Sequence, residues 1–288
     1  MPISPVVNDW FVRNRRDLPW RAHGYPAWGI LVSEIMLQQT PVARVLPRLN
    51  EWLARWPTPA ALAAATPGDA VRAWERLGYP RRALNLHAAA VAITENHGGT
   101  VPSDLDALLA LPGVGQYTAR AVAAFAYGRR HPVVDTNVRR VLARAIDGHA
   151  EAGPPSTARD LAAMEAQLPV NPVDARVFNA AVMELGAIVC TARSPRCEAC
   201  PIANRCAWRA AGYPAYEGAR RQVQKKYEGS DRQVRGVILG ALRNRRGPLS
   251  PTELAELWPD AVQRGRALDG LFLDGLVVGS PETGYALP

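Results

Sequence analysis

Lysine is nearly missing from this chain: of 34 Lys and Arg residues only Lys225 and Lys226 are lysines. Residues 1–224 therefore offer no side-chain amine, which excludes a lysine nucleophile or Schiff base from that stretch. Cysteine is scarce as well, with four residues that all fall between Cys190 and Cys206, so no disulfide framework ties distant parts of the chain together. No apolar run approaches the roughly 20 residues needed to cross a bilayer. Residues 1–21 are polar and helical in pattern rather than a secretory leader, so a soluble cytoplasmic bacterial protein is expected. Alternating β-branched runs are few, which argues against a sheet protein.

What is present points to an all-α fold. With 288 residues and 48% apolar content the chain can bury two or three packed units. Its formal charge of +8 calls for an anionic partner, with nucleic acid the leading candidate. Short helices broken by Pro and Gly are expected from residue 5 to about 187, among them 28–37, 42–55, 81–97, 116–127, 137–147 and 173–187. Ser103 and Asp106 suggest a capping box opening a helix at about 104–110. A linker over 213–230 precedes a last segment, 231–288, whose three helices and short hairpin suggest a small winged-helix-like module.

Cys190, Cys197, Cys200 and Cys206 are spaced C-x6-C-x2-C-x5-C, close enough to surround one metal centre. A zinc ribbon usually has two separated C-x2-C knuckles, and only Cys197 and Cys200 form one, so an iron–sulfur cluster fits better than zinc. Arg193 and Arg196 make the loop between these ligands basic and suited to a phosphate backbone. Leu111-Pro112-Gly113-Val114-Gly115 separates two helices, and the backbone N–H groups of Gly113, Val114 and Gly115 can receive a phosphate at the second helix's N-terminus. Asp135 precedes a helix with an apolar stripe at Val138, Val141, Leu142 and Ala145, where the helix dipole favours its ionised form. Glu34 is the opposite case, a single acid in the apolar run Trp28 to Leu37, where desolvation favours the protonated form. Two carboxyl groups pushed apart in this way suit an acid paired with an anionic stabiliser.

These motifs together resemble the helix-hairpin-helix DNA glycosylases, and within them the adenine DNA glycosylases of the MutY type. The resemblance covers about 8–212 and rests on Leu18-Pro19-Trp20-Arg21, Ser33 to Thr40, Leu77-Gly78-Tyr79, Leu111 to Gly115, Val134 to Val138, Met183 to Ala187 and the cysteine loop. It implies a six-helix barrel over 24–132 and a 4Fe–4S cluster domain built from 1–23 and 133–212, with DNA in the cleft between them. The implied partner is double-stranded DNA containing a mispair or oxidised guanine, bound by a monomer. Glu34 would protonate the adenine and Asp135 would stabilise the sugar cation, with Tyr117 and Asn137 supporting the site. Arg21, Leu37 and Gln38 would line the base pocket. Gln39 and Tyr79 would wedge into the stack beside the orphaned partner base.

Relatives that also cut the DNA backbone carry a lysine just after the hairpin, where this chain has Tyr117, so a monofunctional enzyme is expected. Three departures from the family pattern stand out: Thr136 replaces the glycine that often follows the aspartate, Pro80 replaces a second tyrosine, and 231–288 is too short for the Nudix-like domain that reads 8-oxoguanine. The alternatives are a thymine/uracil mismatch glycosylase of the same fold and a non-catalytic iron–sulfur DNA sensor.

Overall fold

The computed structural model of the chain describes residues 2–218 and 226–288. Lys225 and the 219–225 part of the expected linker lie outside the described residues. Helix α1 (Ser4–Asn14) is followed by a 3-10 turn at Pro19–Arg21 and by α2 (Ala27–Leu37). Then come α3 (Val42–Arg55), α4 (Pro59–Ala63), α5 (Pro67–Trp74) and α6 (Arg81–Asn96). The glycine turn separates α7 (Leu105–Leu109) from α8 (Gln116–Tyr127). After it run α9 (Thr136–Ala145), α10 (Thr157–Glu165), α11 (Pro172–Ile188) and the short α12 (Ala207–Ala210). Helices α13 (Asp231–Arg243), α14 (Pro251–Leu257) and α15 (Ala261–Leu273) lead into an antiparallel hairpin of β1 (Val278–Ser280) and β2 (Gly284–Ala286).

Local sequence sets most of these boundaries. Thr58, Thr66, Asn171 and Ser250 each accept a backbone N–H at the start of α4, α5, α11 and α14, and a proline follows in each first turn. Ser250 and Glu253 form a complete capping box. The one expected at Ser103 and Asp106 does not form. Asp104 caps α7 instead, its Oδ1 accepting from the N–H groups of Asp106 and Ala107 at 3.0 Å each. A carboxylate one residue closer to the helix start reaches those donors better than the Ser103 hydroxyl.

The described residues fall into two compact units, one of 2–30, 103–109 and 115–218 and the other of 31–102, 110–114 and 226–288. In the first, α1 and α9 pack on α11 around Val7, Trp10, Phe11, Val138, Leu142, Phe178, Val182 and Leu185. Gly186 lets α9 approach closely, since a Cβ there would lie 2.7 Å from the Asn137 Cβ. In the second, α4 and α5 pack on α6, and Trp52 and Trp74 are fully buried edge to face at 5.6 Å.

The three helices and the hairpin of residues 231–288 pack as a C-terminal module, completed by paired backbone bonds between Leu249 and Tyr285. Arg243 Nε donates to the Val71 carbonyl and Arg81 pairs with Asp274, joining the module to α5 and α6. The module holds seven arginines and seven carboxylates, so the positive charge of the chain resides elsewhere. Its Arg235, Arg245 and Arg266 are paired with Asp274, Glu253 and Asp231.

Candidate functional site

Within the first unit the residues around Asp135 form a continuous hydrogen-bonded chain. Asp135 is the N-cap of α9, and its Oδ1 accepts from the Val138 N–H at 2.7 Å. Asn137 Nδ2 donates to the other oxygen at 2.7 Å, and Arg140 Nη2 donates to Asn137 Oδ1 at 2.8 Å. Arg140 also donates from Nε to the Cys190 carbonyl at 2.7 Å and from Nη2 to Gly186 O at 2.6 Å. Two side chains, Asn137 and Arg140, thus connect Asp135 to the first cysteine. The segment entering α9 is fixed by the fully buried Asn179, which accepts from Val133 N–H and donates to the His131 carbonyl. Tyr117 packs beside these residues, against Ala121, Ala124 and Val133.

Burial pushes the Asp135 carboxyl above the ordinary aspartate range, although hydrogen bonds from Val138 and Asn137 oppose the shift. The helix-start position alone suggests a carboxyl shifted down. Enclosure by protein reverses that expectation, because desolvation outweighs the donors.

The four thiols line one hollow, together with Arg144, Val189, Trp208 and Arg209. Among the described residues no three His, Cys, Asp or Glu side chains close tightly around a single ion. Short 3-10 turns at Cys197–Ala199 and Ala203–Arg205 bring the last three cysteines to this hollow. Buried Arg144 holds the loop in place: Nη1 lies 3.5 Å from Cys190 Sγ and 2.8 Å from Thr191 O, and Nη2 lies 3.1 Å from Ala192 O. Burial pushes the Cys200 thiol up to about 11, with the three neighbouring thiols adding to the effect. Such crowded, desolvated thiols suit binding as thiolates to a cationic cluster, which reverses that preference. Both loop arginines are exposed, and Arg196 also donates to the Ile188 carbonyl at the end of α11.

Arg21, which the resemblance assigns to the base pocket, ends the 3-10 turn Pro19–Arg21 in the first unit. Its guanidinium forms a two-pronged pair with Glu184 at 3.1 and 2.8 Å, donates to Arg16 O and covers the Phe11 ring at 5.1 Å. Arg16 holds the same carboxylate through its backbone N–H at 2.8 Å and its guanidinium at 2.7 Å. Glu184 is almost completely buried, and its two arginines hold its carboxyl at about 2 against the burial that would raise it. Glu184 lies inside the Met183 to Ala187 motif, which by itself assigns it no role. The signal was there, a single acid in the largely apolar stretch 177–188 of α11.

The second unit carries the other set. Glu34 is buried in α2 at 5% exposure. Leu37 and Gln38 are half-buried at the end of that helix, and Gln39 is exposed on the turn that follows. Tyr79 is 51% exposed at the tip of the turn between α5 and α6. Buried Arg82 lies between these two turns, and burial lowers its guanidinium to about 10. Gly113 adopts φ 74°, and a Cβ there would lie 2.5 Å from that of Asn85, so only glycine fits. Val114 is buried, while Gly115 is exposed and would meet open space with a side chain.

Comparison with known proteins agrees with this organisation. Residues 32–164 match the HhH-GPD superfamily of base excision DNA repair proteins, and residues 190–206 match the iron–sulfur binding domain of endonuclease III. An adenine DNA glycosylase of Mycolicibacterium smegmatis is 54% identical over all of this chain and 97% of its own length. One from Mycobacterium tuberculosis is 54% identical over 97% of this chain and 91% of its own. Among solved structures, a thermostable thymine-DNA glycosylase superimposes with a TM-score of 0.65 at 28% identity, covering 73% of this chain and 95% of that one. That second span begins at Cys190 and ends at Cys206, and its four cysteines, Cys190, Cys197, Cys200 and Cys206, hold a 4Fe–4S cluster.

Proposed function

The chain belongs to the adenine DNA glycosylase family, and we propose that it removes adenine mispaired with 8-oxoguanine or guanine from duplex DNA, as a monomer acting on the bacterial nucleoid. The observation that carries this reading is the Asp135 carboxylate, held by the α9 N-terminus and Asn137 yet weakly solvated. An anion in that state gains strongly when a cation forms beside it.

Breaking the bond from C1′ to N9 leaves electron density on the purine and positive charge on the sugar. Glu34 protonates the adenine at N7, so that a neutral base departs with the bonding pair. Asp135 stabilises the sugar cation until water adds at C1′, giving an abasic site. Tyr117 and Asn137 keep the Asp135 carboxylate in place, and Arg21, Leu37 and Gln38 contact the base. Gln39 and Tyr79 fill the stack beside the orphaned partner, while Gly113, Val114 and Gly115 take a phosphate. The cluster, when bound, supplies a rigid support for the 190–206 loop rather than an electron, since hydrolysis needs none.

The decisive experiment is base release from duplexes carrying every mispair, including adenine opposite 8-oxoguanine. Adenine release is expected; thymine or uracil release in its place would show that the specificity assigned here is wrong. Borohydride should trap no protein–DNA adduct, because a Schiff base needs an amine and the matching position is Tyr117. Adducts that vanish in Lys225→Arg or Lys226→Arg would overturn the monofunctional assignment.

The first of the exposed loop arginines gives a separate prediction. Arg193→Ala should weaken binding to matched and mispaired duplexes equally and reduce the slope of log K against log salt by about 1. A change confined to mispaired DNA would contradict a phosphate role.

A further inference from the structure

Two exposed turns in the second unit share an unusual backbone. Gln39 has φ 56° and Tyr79 has φ 46°, the left-handed region that side-chain-bearing residues rarely adopt. Both residues are at turn tips, and neither is a glycine, asparagine or aspartate that would tolerate the conformation easily. Strain of this kind persists only when the surroundings hold it, and it clusters where a side chain must be presented in one direction.

One side chain makes most of the bonds to these turns. From one nitrogen Arg82 donates to Ile35 O at 2.8 Å, Met36 O at 3.0 Å and Gln38 O. From the other it donates to Thr40 Oγ1 at 2.9 Å, Gly78 O at 3.0 Å and Leu77 O at 3.5 Å. Two of these acceptors decide the argument. Gln38 O belongs to the peptide that precedes Gln39, and Gly78 O belongs to the peptide that precedes Tyr79. The orientation of that preceding peptide plane is what φ measures. Ile35 and Met36 lie among the last carbonyls of α2, which have no partner within the helix. The Thr40 hydroxyl joins the two turns directly by donating to Leu77 O at 3.1 Å, and the Trp74 indole N–H adds a bond to Gly78 O at 2.9 Å. The guanidinium also covers the rings of Trp74 at 5.2 Å and Tyr79 at 5.5 Å.

We propose that Arg82 is the positioning residue for both wedge turns: one buried guanidinium fixes the peptide planes before Gln39 and Tyr79 and so presents both side chains to the DNA stack together. Only a planar fork can do this. Lysine has a single charged nitrogen, which cannot serve the two turns at once. The proposal rests on the reading that these turns act beside an extruded adenine. Its structural half stands apart from that reading and is measured separately.

The test uses the full chain with its cluster loaded and the variant Arg82→Lys. Amide hydrogen exchange over 37–40 and 77–80 is expected to speed up by roughly tenfold or more, with 135–145 unchanged. Unaltered exchange in both turns would overturn the proposal. Single-turnover adenine release should fall by about 100-fold from an ordinary mispair, but by about tenfold or less when the adenine faces an abasic site, where unstacking costs less. An equal loss on both substrates would also overturn it, since that marks damage to the chemistry. A further arm covers poor folding of Arg82→Lys: Gln39→Gly removes the left-handed strain, so the two substitutions together should destabilise less than their separate effects combined. Strict additivity counts against the proposal. If the wild-type protein releases no adenine at all, the functional reading fails while the exchange result still decides what Arg82 holds.

Discussion

Asp135→Asn is expected to lower single-turnover adenine release by about 10³-fold or more while leaving the protein folded. The size follows from charge: an anion about 4 Å from a unit cation at an effective dielectric near 20 contributes about 4 kcal/mol, which is about a thousandfold in rate. The fold survives because asparagine is also a good N-cap. Its one carbonyl oxygen can serve the Val138 N–H or Asn137 but not both, a loss of about 1 kcal/mol. Relief of the burial that raises the Asp135 carboxyl offsets part of that loss at neutral pH. Glu34→Gln should cost about 10²- to 10⁴-fold, because the amide cannot deliver the proton. Retained adenine release in both variants would sink the assigned roles.

The same carboxyl sets the sign of the acid limb. Asp135 acts as an anion, and its raised pKa means that activity falls as pH drops through a value above the ordinary 3.8. The limb should be absent from the residual activity of Asp135→Asn. A rate profile measured under single-turnover conditions reports it.

The largest stability effect is expected at Glu184. Its carboxyl is displaced from 4.5 to about 2 by Arg16 and Arg21, a difference of roughly 3 kcal/mol before allowing for the exposure of Arg16. Folded-state depression of an acid means that this contribution is present above pH 4.5 and is lost as pH falls towards 2. Glu184→Ala leaves Arg21 and the Arg16 backbone N–H without their shared acceptor, and about 3–5 kcal/mol should be lost. Glu184→Gln keeps one acceptor oxygen and should lose less. Melting curves at pH 7 and pH 3 separate the cases: the gap between wild type and Glu184→Gln should narrow at the lower pH. A constant gap would mean that the carboxylate charge contributes nothing.

Some elements could be read from residue order because their causes are local. Proline and threonine or asparagine at helix starts fixed α4, α5 and α11 from a few neighbouring positions. The short hairpin expected in the last segment forms at Val278–Ser280 and Gly284–Ala286, where Gly284 and its neighbours set the turn locally. Competition between adjacent groups was harder: Asp104 displaced Ser103 as the cap of α7 by reach alone.

The arginines were the least legible residues. Composition shows that they are many, but nothing in their spacing separates Arg193, which is exposed, from Arg82, Arg140 and Arg144, which carry the internal hydrogen bonds of the turns and the cluster loop. A guanidinium's role depends on which carbonyls surround it, and those come from segments tens of residues away. The pairing of Arg21 with Glu184, which lie far apart in the chain, is hidden for the same reason. The neutral C-terminal module likewise took its meaning from partners, as its arginines face carboxylates within the module and carbonyls of α5.

The sequence by itself determined the chemistry available: four clustered thiols, an acid in an apolar helix, an aspartate at a helix start, and no amine before residue 225. Those are properties of residue types and spacing, which need no third dimension. Tertiary structure decided how far each group departs from its ordinary behaviour. Asp135 is raised where its place in the chain argues for lowering, Glu184 is held near 2, and Gln39 and Tyr79 stay in left-handed turns because Arg82 spans both. Desolvation and multi-point hydrogen bonding depend on what packs around a group, and packing joins segments that the sequence keeps apart.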